Sequence, residues 1–138
     1  MTTTTLDIVS IEANIFSGPV AMVVITGEQG ELGILPGHTP FLTSIKPGQV
    51  RIILPNNEQD VYYISGGILE VQPNNITILA DSIVHARDLD EAETVTAHEH
   101  AKSLLANKQS GLEFTTALIN IAQTAAQLRT IQLSRKGK

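Results

Sequence analysis

The stretch Ile83-Val84-His85-Ala86-Arg87-Asp88-Leu89-Asp90-Glu91-Ala92-Glu93 holds the point at which the chain changes its grammar. Before it, short apolar runs are separated by turn residues; beyond it, apolar residues recur at intervals of three and four. Asp88, with Glu91 three residues on, forms an acidic variant of the capping box, which takes up amide donors that a first helical turn leaves free. The spacing predicts a helix from about Leu89 to Asn107.

Upstream, Leu6 to Ile11, Val20 to Thr26 and Leu32 to Leu35 read as strands. They are punctuated by Gly27-Glu28-Gln29-Gly30 and by Pro36-Gly37-His38-Thr39-Pro40, which no helix tolerates. After the Pro47-Gly48 turn, Val50, Ile52 and Leu54 alternate with Arg51 and Ile53, and Pro55-Asn56-Asn57 leads into Val61 to Ile64, a hairpin. A second hairpin joins Ile68 to Gln72 and Ile76 to Ala80 through Pro73-Asn74-Asn75. Many of these runs are apolar on both parities, so both sheet faces are expected to meet a second sheet or a partner.

Downstream, the first helix offers Leu89, Ala92, Ala97, Ala101, Leu104 and Leu105 as its apolar stripe, which is thin and weighted towards alanine. Ser110 and Glu113 form a second box around Gly111, after which Phe114, Ala117, Leu118, Ile121, Ala122, Ala125, Leu128 and Ile131 mark the clearest helix of the chain. No acidic residue follows Phe114, whereas Arg129, Arg135, Lys136 and Lys138 are basic, which suits a helix C-terminus. The expected architecture is a β-sandwich over residues 1–87 followed by an antiparallel two-helix hairpin over 88–138. So lean a hairpin must borrow a surface to fold on.

With 138 residues, 42% hydrophobic and 17% charged, the chain holds one ordinary domain or two small ones. A net charge of −5 argues against a general nucleic-acid partner. The absence of cysteine removes disulfides, thiolate metal sites and cysteine nucleophiles. Neither a basic leader nor an apolar run of the ~18 residues that span a bilayer is seen, so membrane association is expected through another protein.

Sharper readings of single motifs do not prevail. His98-Glu99-His100 places imidazoles two apart, on different sides of a helix, unlike the i, i+4 pairs of zinc helices; a solvated face is expected, and no metal. His38 has no serine or cysteine nucleophile motif beside it, and Glu31 has no acid/base partner, so no catalytic residue is assigned. Gly27-Glu28-Gln29-Gly30 and Ser65-Gly66-Gly67 lack the strand–loop–helix setting and following lysine of a phosphate cradle, and read as turns. Pattern alone leaves a free-standing sandwich module with a helical oligomerisation tail open, and a small hydrolase built on His38 as a remoter alternative.

The assembled residues resemble the epsilon subunit of bacterial F-type ATP synthases over essentially the whole chain. The resemblance is carried by Gly30-Glu31-Leu32-Gly33-Ile34-Leu35-Pro36-Gly37-His38 above all. Phe16-Ser17-Gly18, Ser65-Gly66-Gly67-Ile68-Leu69-Glu70-Val71, Leu79-Ala80-Asp81, Leu89-Asp90-Glu91-Ala92 and Ala126-Gln127-Leu128-Arg129 follow in family order.

That resemblance implies a ten-stranded sandwich on a rotor, a non-catalytic central-stalk component that touches the gamma subunit and the ring of membrane subunits. Glu31 would then lie at the ring contact and His38 would face gamma. The hairpin would be a mobile brake that extends into the catalytic head and obstructs ATP hydrolysis, with Arg129, Arg135 and Lys136 meeting the alpha and beta subunits. The implied location is the cytoplasmic side of the bacterial inner membrane, held there by the complex. Some members bind ATP through a pair matched here by Leu89 and Asp90, together with arginines. In this chain Glu93 and His100 occupy the arginine positions, and a carboxylate set against a triphosphate argues for weak or no binding, so no cofactor is expected.

Overall fold

The structure is a computed structural model that describes residues 2–27, 30–106 and 112–136. Ten strands form two five-stranded sheets, and two helices follow. The strands are β1 (Thr4–Ser10), β2 (Asn14–Val20), β3 (Met22–Gly27), β4 (Gly30–Ile34), β5 (Phe41–Ile45), β6 (Gly48–Ile53), β7 (Gln59–Ile64), β8 (Gly67–Gln72), β9 (Asn75–Ala80) and β10 (Ile83–His85). The first sheet has the order β2-β1-β9-β8-β5 and the second β10-β7-β6-β3-β4.

Both predicted hairpins are present: β6 pairs antiparallel with β7, and β8 with β9. Only β1 and β9 run parallel among the described pairings, which brings the first strand beside the last long one. The sequence reading missed β2 and β5 as strands. Both lie at the edges of the first sheet, where burial is shallow and apolar alternation is weak. An edge also tolerates Pro19, which has no amide to donate.

Period-two alternation puts Leu6 and Ile8, Val50 and Ile52, Tyr62 and Ile64, Leu69 and Val71, and Ile76 and Ile78 into one core between the sheets. Each fully buried Leu or Ile contributes about 1.5–3 kcal/mol, and among the described residues no side chain of this core comes from the helices. Gly67 lets two strands meet closely: a Cβ there would stand 2.1 Å from the Leu79 carbonyl oxygen.

After β10 a short 3-10 turn, Ala86–Asp88, leads into α1 (Glu91–Ala106), and α2 spans Leu112–Lys136. The predicted helix start at Leu89 and the Asp88–Glu91 cap are both two residues early. Asp88 closes the 3-10 turn, and Asp90 is the residue that caps: its Oδ1 accepts the Glu93 amide at 3.0 Å. Two overlapping D-x-x-E spacings exist here, and the 3-10 turn decides for the second. Asn107, Ser110 and Gly111, on which the far end of the first helix and the second capping box were placed, lie outside the described residues, as does the Glu113 side chain.

The apolar stripe of α1 also needs correction. Ala92, Ala97 and Leu104 are exposed, and the buried side runs through Thr94, half-buried His98, Ala101 and half-buried Leu105. On α2, Ala117 and Ile131 are buried and Ile121 and Leu128 half-buried as expected, but Phe114, Leu118, Ala122 and Ala125 are exposed while Thr124 and Thr130 are buried.

Candidate functional site

Strand alternation leaves each sheet an outer face, and the two faces are treated differently. On the second sheet, Val24, Gln49, Arg51, Val61 and Tyr63 have the parity opposite to the core, and α2 packs over β6 and β7. Gln49 is only 1% exposed, and its Nε2 donates to the Ala126 carbonyl oxygen at 2.7 Å. That oxygen also accepts from Thr130 Oγ1 at 2.8 Å. Tyr63 stands directly opposite Gln49 in the β6–β7 register and is 3% exposed. Burial pushes its phenol above the ordinary value.

Among the described residues, two polar side-chain pairs link the helices. His98 Nδ1 lies 2.6 Å from Thr124 Oγ1, whose own hydroxyl donates to the Asn120 carbonyl oxygen at 2.7 Å. With that hydrogen committed, the imidazole is the donor. The reading of His98 as part of a solvated face is therefore corrected: it is half-buried between helices, while His100 is exposed. At the open end, Arg135 of α2 pairs with Glu91 in the first turn of α1, which establishes that the helices run antiparallel. Among the described residues, no group of His, Cys, Asp or Glu is arranged to hold a metal ion.

Glu31 lies on the edge strand β4, exposed, with Arg51 Nη2 at 3.2 Å and the Thr26 hydroxyl at 3.4 Å. Arg51 Nη1 donates to Gln59 Oε1 at 3.2 Å, so one guanidinium joins three strands of this sheet. His38 follows β4, half-buried, with Nδ1 2.9 Å from the Thr39 carbonyl oxygen and its ring packed on Phe41 of β5 at 5.4 Å.

Among the described residues, the helices pack on β6 and β7 of the second sheet, and the outer face of the first sheet is left open. Leu42 is 68% exposed and Leu79 50%, and Ile68 lies directly opposite Leu79 across the β8–β9 pair. These three large aliphatic side chains lie on the adjacent strands β5, β8 and β9.

Of the remaining predicted residues, Leu89 is half-buried and its amide donates to the Ala86 carbonyl oxygen, while the Asp90 carboxylate is engaged in capping. Arg129 is exposed on α2 beside a cleft lined by Pro47, Gly48, Gln49 and Ala126. The Lys136 side chain lies outside the described residues. At the junction, His85 Nδ1 accepts the Arg87 amide, so Nε2 carries the hydrogen towards Asp60 Oδ1 at 3.3 Å. The same ring stands edge-on to Tyr62, whose phenol is pushed up by burial first and by Asp60 second, against an opposing Arg87.

The sequence reading did not single out Gln49, Tyr63, Thr124 or Thr130. Each is a polar residue at a position buried by a partner element remote in the chain, and no local pattern marks such a position. Among the described residues, no helix is long and apolar enough to cross a membrane.

Residues 3–86 match the family model for the ATP synthase Delta/Epsilon chain, beta-sandwich domain. An ATP synthase epsilon chain of Legionella pneumophila (strain Corby) is 52% identical over 134 residues, 97% of this chain and 96% of that relative. One from Acinetobacter baumannii (strain AYE) is 48% identical over 132 residues, covering 96% and 95% respectively. A chain in the cryo-EM structure of Euglena gracilis mitochondrial ATP synthase, OSCP/F1/c-ring in rotational state 1, superposes with a TM-score of 0.83 at 22% identity, covering 90% of this chain and 78% of that one. The fold, the nearly complete coverage and the identity of about half the residues lead to one conclusion: this chain belongs to the family of ATP synthase epsilon chains, non-catalytic subunits of that enzyme.

Proposed function

We propose that this chain couples the membrane rotor ring to gamma and the catalytic head, and restrains wasteful ATP hydrolysis through its two helices. The observation that carries this reading is the contrast in anchoring. The sandwich core is closed by Leu, Ile and Val without help from the helices, whereas the hairpin buries chiefly Ala101, Ala117, Thr94, Thr124 and Thr130, with Ile131 as its one large, fully apolar buried side chain among the described residues. A platform of that kind keeps its shape while the hairpin leaves, and a two-state brake needs poses separated by only a few kcal/mol.

In this reading the outer face of the first sheet, with Leu42, Ile68 and Leu79, meets gamma, and His38 stands at the β5 edge of the same surface. Glu31, exposed on the opposite sheet's edge strand, faces the rotor ring. When the hairpin extends, Arg135 exchanges Glu91 for acidic groups of the alpha and beta subunits, joined by Arg129 and Lys136. The chain works at the cytoplasmic side of the bacterial inner membrane, peripherally. ATP binds weakly or not at all, since Asp90 is occupied as a helix cap and Glu93 and His100 offer no guanidinium; micromolar affinity by isothermal titration would overturn that.

The decisive experiment deletes Asp88 to Lys138 in the assembled complex. Assembly is expected to persist and hydrolysis by the membrane-stripped enzyme to rise. Unchanged hydrolysis would remove the brake, and failure of the full chain to co-purify with gamma would remove the rotor assignment.

A further inference from the structure

An exposed carboxylate on a strand edge ordinarily samples several rotamers, and Glu31 is held against that freedom. Its Oε2 takes two donors, Arg51 Nη2 at 3.2 Å and the Thr26 hydroxyl at 3.4 Å. Thr26 stands directly opposite Glu31 in the β3–β4 register. Arg51 comes from further away: it belongs to β6 and reaches across β3 to the edge strand β4.

Exposed ion pairs contribute little as a rule, because two long side chains give up their freedom for a screened attraction. Arg51 has given up much of that freedom elsewhere. Its side chain is 27% exposed against 58% for Glu31, and its Nη1 donates to Gln59 Oε1 on β7 at 3.2 Å. A guanidinium is planar, so a bond at one terminal nitrogen also directs the other. The donor that Glu31 meets is therefore aimed by β6 and β7, two interior strands of the sheet, and not by the edge strand that carries the carboxylate.

We infer that Arg51 is the positioning residue of Glu31: with Gln59 behind it, the guanidinium fixes the carboxylate in one orientation on the β4 edge. The use of that carboxylate at the rotor ring rests on the reading proposed above. Without the guanidinium Glu31 stays charged and exposed but turns about its side-chain bonds, and a contact that must first order it is weaker by that entropy. Lysine at the same place keeps the positive charge and lacks the fork that grips Gln59 and Glu31 together.

Two measurements test this. In the full isolated chain, nitrogen NMR is expected to show hindered rotation of the Arg51 guanidinium, relieved in Glu31→Gln; free rotation in the unaltered chain overturns the inference. In the assembled complex, ATP-driven proton pumping is compared for Glu31→Gln, Arg51→Gln, Arg51→Lys and the double variant Glu31→Gln with Arg51→Gln. Arg51→Gln is expected to lose pumping by the same factor as Glu31→Gln, and the double variant by no more than either, since Arg51 acts through Glu31. Arg51→Lys should pump as poorly as Arg51→Gln. With Glu31→Gln impaired, normal pumping in either Arg51 variant, or a further loss in the double variant, overturns the positioning role and leaves Glu31 at the ring. Hindered rotation together with normal pumping in Glu31→Gln does the reverse: the ring reading fails and the positioning of Glu31 by Arg51 stands.

Discussion

Ile131→Ala isolates the contribution of the largest apolar anchor in the hairpin. Ile131 is 7% exposed in the docked pose, and its nearest counterparts in burial on the helices are alanines and threonines that cannot make up its area. Large-to-small changes of this kind cost about 2–5 kcal/mol, and the lower end applies where a helix can settle into the space. About 2 kcal/mol shifts the docked-to-released ratio roughly thirtyfold. Because no helix residue belongs to the sandwich core, the loss should fall on the hairpin alone. Hydrogen exchange on the isolated variant should show α1 and α2 amides losing protection, with β1, β8 and β9 unaffected. Thermal melting should lose helical signal below the sandwich transition. Equal loss of protection in strands and helices would refute the reasoning, since it would make the hairpin an integral part of the core; unchanged helix protection would refute it too.

Glu31→Lys should leave the melting temperature almost unchanged, because an exposed pair with Arg51 is worth under about 1 kcal/mol, while lowering ATP-driven proton pumping by the assembled complex; normal pumping would remove Glu31 from the ring contact. Gly67→Ala should destabilise the sandwich by about 3 kcal/mol or more in chemical denaturation, since the added carbon meets a carbonyl oxygen of β9 at 2.1 Å. Raising pH should release the hairpin at the alkaline end: burial holds the Tyr63 pKa above its ordinary 10.0, so docking carries no ionisation penalty below that pH and a growing one as pH climbs towards the folded value. Tyr63→Phe should shift helix release, followed by hydrogen exchange, to higher pH, although Tyr62 in the core titrates under the same influence.

Chain-local physics was legible in the residues themselves. Turn residues at Pro55-Asn56-Asn57 and Pro73-Asn74-Asn75 bracket apolar alternation, which is enough to specify two hairpins, and the switch from period two to period three or four beyond Arg87 divides strands from helices. The colinear blocks from Phe16 to Arg129 carried the family. Even the misplaced cap was a near miss, because Asp88 and Asp90 both stand three residues before a glutamate.

What tertiary structure alone decided was which polar groups meet. Glu31 with Arg51, His98 with Thr124, Arg135 with Glu91 and Gln49 with Ala126 are separated by 20, 26, 44 and 77 residues respectively. No periodicity links such positions. A glutamine on a strand reads the same whether water or a helix covers it, since local sequence encodes the face a side chain takes and only packing supplies what lies against that face. The docking surface of the hairpin, the property on which its release depends, is for that reason written in the folded chain and not in the string of residues.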